Sequence, residues 1–116
     1  MITVYQKPTC STCRSLAALL KSRGVDYDAV DYFVDPIPRP KLAELVRKMG
    51  IPARDLLRPR ESRGLGLDRD SLSDDEALDA MTTHPELIQR PIVEKGDTAV
   101  LARPVERVLE ILPGGE

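Results

Sequence analysis

The chain reads as an α/β fold built on a mixed four-stranded sheet. Three observations carry that reading. The opening segment gives a β-prone run, a loop, a helical repeat and a second β-prone run; the middle is helical with a capping box; the end is a pair of short apolar runs joined by a turn and followed by a helix.

Met1-Ile2-Thr3-Val4-Tyr5 is the first strand, Gln6 to Thr9 a loop, and Leu16, Ala17, Leu19 and Leu20 fall at helical spacing. Gly24 closes that helix, because glycine enters the left-handed conformation without a Cβ clash. Asp26 to Val34 alternates in part, with Tyr27, Val30, Tyr32 and Phe33, as a second strand would. Such βαβ crossovers are right-handed, so the two strands run parallel, and the loop after the first lies at their carboxyl ends, where α/β sheets bind ligands. Pro36, Pro38 and Pro40 interrupt the pattern, after which Leu42, Leu45, Val46 and Met49 mark one face of a helix ending at Gly50. Arg58 to Asp70 is rich in arginine, contains Gly64 and Gly66 and shows little periodicity, which predicts a surface loop. Ser73-Asp74-Asp75-Glu76 is a capping box, and Ala77, Leu78 and Met81 carry its helix to His84-Pro85.

Pro91 to Glu94, a Lys95-Gly96-Asp97 turn and Thr98 to Leu101 predict a β-hairpin. Pro104 opens a short final helix through Ile111, stopped by Leu112-Pro113-Gly114-Gly115. The order βαβ, helices, ββα matches a thioredoxin-like sheet, with a helical insertion at about residues 36–89 inside one domain spanning 1–116.

Composition narrows the function. With 116 residues, 41% hydrophobic and 31% charged, the chain is long and apolar enough to bury its own core. A formal net charge of −2 and the lack of tryptophan are poorly suited to displacing counterions from phosphates or stacking on bases, so nucleic acid is not an expected partner. No stretch approaches a membrane span, and no basic segment precedes a long apolar run at the N-terminus, so neither membrane insertion nor export is expected. Two cysteines three apart cannot staple distant parts of a fold, whereas a Cys-x-x-Cys beside a strand-helix pattern has a redox reading in a reducing compartment. The expectation is a cytoplasmic monomer.

Cys10 stands just ahead of the first helix, whose unbonded N–H groups and dipole stabilise a thiolate. The N–H groups from about Ser11 to Arg14, with Ser11 and Thr12 foremost, also form a cradle for an oxyanion. Nucleophile and anion site therefore coincide. The bland alternative, a pair of small buried hydrophobes or half of a metal site, lacks the further cysteine or histidine ligands that a metal requires, so no metal or other cofactor is expected. A doubly charged anion also needs cations, for which guanidinium forks suit tetrahedral oxyanions. Arg58, Arg90 and Arg103 are candidates, with Arg90 just before Pro91, a place where thioredoxin-like folds put a cis-proline. Spacing alone does not single out these three.

The segments Tyr5-Gln6-Lys7-Pro8-Thr9-Cys10-Ser11-Thr12-Cys13-Arg14, Leu56-Leu57-Arg58, His84-Pro85-Glu86-Leu87-Ile88-Gln89-Arg90-Pro91-Ile92-Val93 and Arg103-Pro104 resemble the signature segments of the ArsC-type, glutaredoxin-coupled arsenate reductases. The resemblance spans nearly the whole chain. It implies that Cys10 attacks arsenate, that Arg58, Arg90 and Arg103 form the oxyanion site, and that thioredoxin or glutathione with glutaredoxin supplies electrons. Two departures stand out. Gln6 replaces a histidine of well-studied members, which leaves thiol activation to the helix and the arginines, and Cys13 replaces a serine. The resulting Cys-x-x-Cys also resembles the Spx-type transcription regulators, redox sensors that bind RNA polymerase. The arginine trio argues for the enzyme, since a sensor needs no oxyanion pocket, and against a general disulfide oxidoreductase, which would want an apolar peptide groove. Cys13 is expected to resolve the Cys10 adduct, while His84 is read as structural.

Overall fold

A computed structural model describes residues 2–112; the expectations for Met1 and for the Pro113-Gly114-Gly115 stop lie outside them. The chain divides into two compact units, Met1–Asp35 with Arg90–Glu116, and Pro36–Gln89.

The first unit holds β1 (Ile2–Gln6), α1 (Ser11–Ser22), β2 (Tyr27–Asp31), β3 (Ile92–Lys95) and β4 (Thr98–Leu101), then a 3₁₀ segment over Val105–Glu110. The sheet order is β2-β1-β3-β4. β1 runs parallel to β2, with Ile2 opposite Tyr27 and Gln6 opposite Asp31, and antiparallel to β3, with Val4 opposite Val93. This is the mixed four-stranded sheet the sequence predicts. Alternation puts Ile2, Val4, Val93 and Val100 on one face, where they pack with Leu16 and Leu20 of α1 and with Val108 and Leu112. The intervening positions carry Tyr5, whose hydroxyl donates to buried Glu94 Oε1 at 3.0 Å. Gly24 does close α1, at φ 66°, its N–H on the Lys21 carbonyl. Gly96, at φ 57°, opens the two-residue turn between the paired Lys95 and Thr98.

β2 ends earlier than the expected Val34. The Asp31 carboxylate accepts the Phe33 N–H at 3.1 Å, while its carbonyl accepts from Val34 and Asp35 at 3.0 and 2.8 Å. An aspartate that captures the following backbone makes a turn and stops the ladder.

The second unit holds α2 (Arg39–Met49), α3 (Pro59–Gly64) and α4 (Asp74–Thr83), with 3₁₀ turns over Ala53–Leu56, Arg69–Ser71 and Pro85–Leu87. The expected loop from Arg58 to Asp70 is thus partly helical. Pro59 presets the helical φ at the first position of α3, but a six-residue helix is too short to display a period in the sequence. The capping box forms as expected: Ser73 Oγ accepts the Glu76 N–H at 3.2 Å, and Glu76 Oε1 accepts the Ser73 N–H at 3.0 Å. Leu42, Leu45, Leu56, Met81 and Leu87 are fully buried in this unit. Arg39 ties α2 to α4 through Asp75 at 3.2 Å and Asp79 at 2.7 Å, on an exposed surface where such pairs contribute little. Among the described residues no helix is long and apolar enough to cross a membrane.

Leu16 seats α1 on the sheet with no exposed surface. Leu16→Ala is expected to lower unfolding free energy by about 2–5 kcal/mol in denaturant titration, the cost of a lost apolar side chain plus its cavity.

Candidate active site

Residue 10 is the N-cap of α1, with extended backbone at φ −76° and ψ 125°. The first N–H groups of any helix lack intrahelical acceptors, and an N-cap side chain can take one of them. Here the acceptor is sulfur: Cys10 Sγ takes the Cys13 N–H at 3.4 Å. The loop is closed behind it by the Cys10 N–H on the Lys7 carbonyl at 2.9 Å. The Arg14 N–H is bonded to the Cys10 carbonyl at 3.0 Å, so it is engaged within the helix and does not belong to the expected anion cradle. The Cys13 N–H is taken by the Cys10 sulfur, and the Thr12 N–H acts on the same sulfur.

The two cysteines, both free thiols, sit in different surroundings. Cys10 is partly exposed, whereas Cys13 is 2% exposed. Burial raises the Cys10 pKa, but the Cys13 side-chain donor, the Cys13 and Thr12 backbone N–H groups and the Arg90 charge outweigh it and hold the thiol below its ordinary value. Cys13 goes the other way. Burial, then its hydrogen bond to Cys10, push it up to about 12, against an opposing backbone contact from Lys7. One sulfur is thus shifted toward its thiolate and its neighbour toward the protonated thiol, whose S–H donates to it.

Arg90 is 8% exposed and acts on the Cys10 sulfur by hydrogen bonding and by charge. Its Nη1 donates to the Tyr32 hydroxyl at 3.2 Å, and its guanidinium carbon lies 5.4 Å from the centre of the Phe33 ring. The Arg90–Pro91 and Arg103–Pro104 peptides are both cis. Arg103 Nη1 donates to the Arg90 carbonyl at 3.0 Å and to Thr12 Oγ1 at 3.3 Å, which places it at the start of α1. Cys10, Ser11, Thr12, Cys13, Arg90 and Arg103 therefore gather at one end of the sheet.

Arg58 belongs to the other unit. It is the N-cap residue of α3, its Nε pairs with Glu61 at 3.4 Å, and its N–H donates to the Leu87 carbonyl at 2.7 Å. His84 caps the end of α4, with Nδ1 3.7 Å from Glu86.

Sequence reasoning missed Tyr32, Phe33 and Lys7 as neighbours of the site. Tyr32 is fully buried and packs against Phe33 with the rings tilted by 43° and their centres 5.2 Å apart, and Lys7 Nζ lies 4.5 Å from the centre of the Phe33 ring. A signal was present: in a parallel pair the residues just beyond both strands come out side by side, so those after Asp31 must flank the cysteine loop.

The ArsC family model matches residues 5–111. Arsenate reductases of Acidiphilium multivorum and Escherichia coli K12 are each 40% identical over 119 residues, covering 99% of this chain and 83% of theirs. The solved structure of an arsenate reductase from Vibrio cholerae superposes with a TM-score of 0.84 at 35% identity, covering 96% of this chain and 97% of that one. Sequence and fold agree along nearly the whole length, and the chain belongs to the ArsC family.

Proposed function

We propose that this protein is an arsenate reductase in which the Cys10 thiolate attacks arsenic. The observation that carries the reading is a partly exposed cysteine at a helix N-cap with a buried arginine acting on its sulfur, a site that suits an anionic electrophile. Family membership and relatives named arsenate reductases supply the electrophile.

In the first step the Cys10 sulfur bonds to As(V), and one arsenate hydroxyl takes up a proton and leaves as water. The N–H groups of Ser11 and Thr12 and the guanidinium groups of Arg90 and Arg103 stabilise the oxyanion charge. The family resemblance adds Arg58. In the second step another thiol sulfur, deprotonated as it attacks, bonds to the Cys10 sulfur. The S–As bond breaks with its electron pair going to arsenic, which departs as As(III), and a disulfide remains. Two thiols have then lost the two electrons that arsenic gained.

We assign the second thiol to Cys13. Its hydrogen bond to Cys10 brings the sulfurs together, and release of the thiolate charge on arsenic binding removes part of what holds its proton. The Cys10–Cys13 disulfide is returned to dithiol by thioredoxin, with glutathione and glutaredoxin as the other route. A reducing cytoplasm suits such a cycle.

Arsenate turnover with each reductant system tests the function. Wild type reduces arsenate; Cys10→Ser does not; Arg58→Ala, Arg90→Ala and Arg103→Ala each lose about 2–4 kcal/mol of transition-state stabilisation in kcat/KM. Normal kinetics in all three arginine variants would remove the oxyanion site.

The pH dependence follows from the direction of the Cys10 shift. A thiol with a lowered pKa becomes thiolate earlier as pH rises, so the midpoint of its alkylation rate by iodoacetamide lies below the ordinary ~8.5. Cys13→Ala removes a donor that lowers the pKa and moves the profile to higher pH. A wild-type midpoint at or above the ordinary value contradicts the proposed activation.

Mass spectrometry after one arsenate turnover without glutathione decides the role of Cys13. A protein two hydrogens lighter, with arsenite released, is expected for wild type and not for Cys13→Ser. An unchanged dithiol mass and no arsenite would assign every electron to glutathione.

A further inference from the structure

An arginine side chain has several rotatable bonds, and a guanidinium that binds an anion effectively has to be held in place before the anion arrives. Two residues beyond the end of β2 do this for Arg90. The Tyr32 hydroxyl, fully buried, accepts from Arg90 Nη1 at 3.2 Å, and the Phe33 ring lies beneath the guanidinium with its centre 5.4 Å from Cζ. The hydroxyl fixes one end of the planar fork within its plane, and the ring limits tilt out of it through cation–π attraction. Tyr32 is itself anchored, its N–H bonded to the Gln6 carbonyl at 3.3 Å, so the pair is referenced to the same strand end that launches the cysteine loop.

We infer that Tyr32 and Phe33 are positioning residues for Arg90: the hydroxyl and the ring hold the guanidinium against the Cys10 sulfur and the anion bound there. The inference rests on the oxyanion reading of the site. Neither residue touches the reacting atoms, and both act through Arg90.

The test combines kinetics with a double-mutant cycle. Tyr32→Phe keeps the ring and removes only the hydroxyl. Loss of one hydrogen bond corresponds to a factor of about five to thirty, so KM for arsenate is expected to rise by that factor, with a smaller effect on kcat. The Cys10 pKa, read from the pH dependence of alkylation, is expected to move upward in the same direction as in Arg90→Ala. In the Arg90→Ala background Tyr32→Phe should change that pKa no further, because the group it positions is gone. Independent, additive shifts from Tyr32→Phe and Arg90→Ala, or no change in KM and pKa in the single variant, overturn the inference.

Should Tyr32→Phe fail to fold, Phe33→Leu serves instead, since Phe33 is 38% exposed and leucine keeps an apolar side chain against Tyr32 while removing the ring from Arg90. Lys7 lies over the same ring, so Lys7→Gln is measured beside it, and the Phe33 effect that persists in Lys7→Gln belongs to Arg90. Failure of wild type to reduce arsenate would refute the oxyanion reading, while the Cys10 pKa cycle would still decide whether Tyr32 positions Arg90.

Discussion

A helix begins with backbone N–H groups that no turn before it can accept, and at the start of α1 these groups meet a cysteine sulfur. The rest of the unit is arranged around that meeting. Leu16 and Leu20 bury the inner face of α1 against Ile2, Val4, Val93 and Val100, so the helix cannot slide or roll without exposing its core. The parallel pairing of β1 and β2 then fixes where the loop between β1 and α1 emerges. A sulfur held at this point experiences the same donors in every molecule, which is what a lowered thiol pKa requires.

The Cys-x-x-Cys spacing produces opposite behaviour in two identical side chains. At the N-cap, Cys10 collects hydrogen bonds that favour its anion, and these outweigh its partial burial. Three residues on, Cys13 faces inward, and burial together with the neighbouring sulfur keeps its proton in place. Each is part of the other's environment: the S–H that Cys13 retains is a donor to the thiolate that Cys10 becomes. The N–H groups of Thr12 and Cys13, the Cys13 thiol and Arg90 supply the stabilisation of the Cys10 anion.

Burying an arginine costs desolvation, and a guanidinium keeps its charge at any ordinary pH, so Arg90 must be provided with partners. The Tyr32 hydroxyl and the Phe33 ring supply them on one side and the Cys10 sulfur on another. Arg103 is held differently, more exposed and anchored through Nη1 to a carbonyl and to Thr12 Oγ1. These bonds tie the segment before β3, the segment after β4 and the start of α1 together, so the cations are organised by the elements around them and not by their own loop.

The sequence by itself determined whatever depends on near neighbours. The N-cap position of Cys10, the closure of α1 by Gly24, the capping box of Ser73 and Glu76, and the turn at Gly96 all arise within a few residues, where local sterics and backbone bonding set the outcome. Even locally it had limits: Asp31 ended β2 through a side-chain bond that β-propensity does not reveal, and α3 was too short to show a period. Arg90 and Arg103 could be named through family resemblance, but their spacing carried no signal, because their partners Tyr32 and Thr12 lie 58 and 91 residues away in the chain. Only the tertiary structure decided that the Tyr32 hydroxyl and the Phe33 ring meet the Arg90 guanidinium, that Arg103 reaches Thr12, and that the two thiols differ. Burial and charge at a point in space sum over groups from several strands, and no pattern along the chain records that sum.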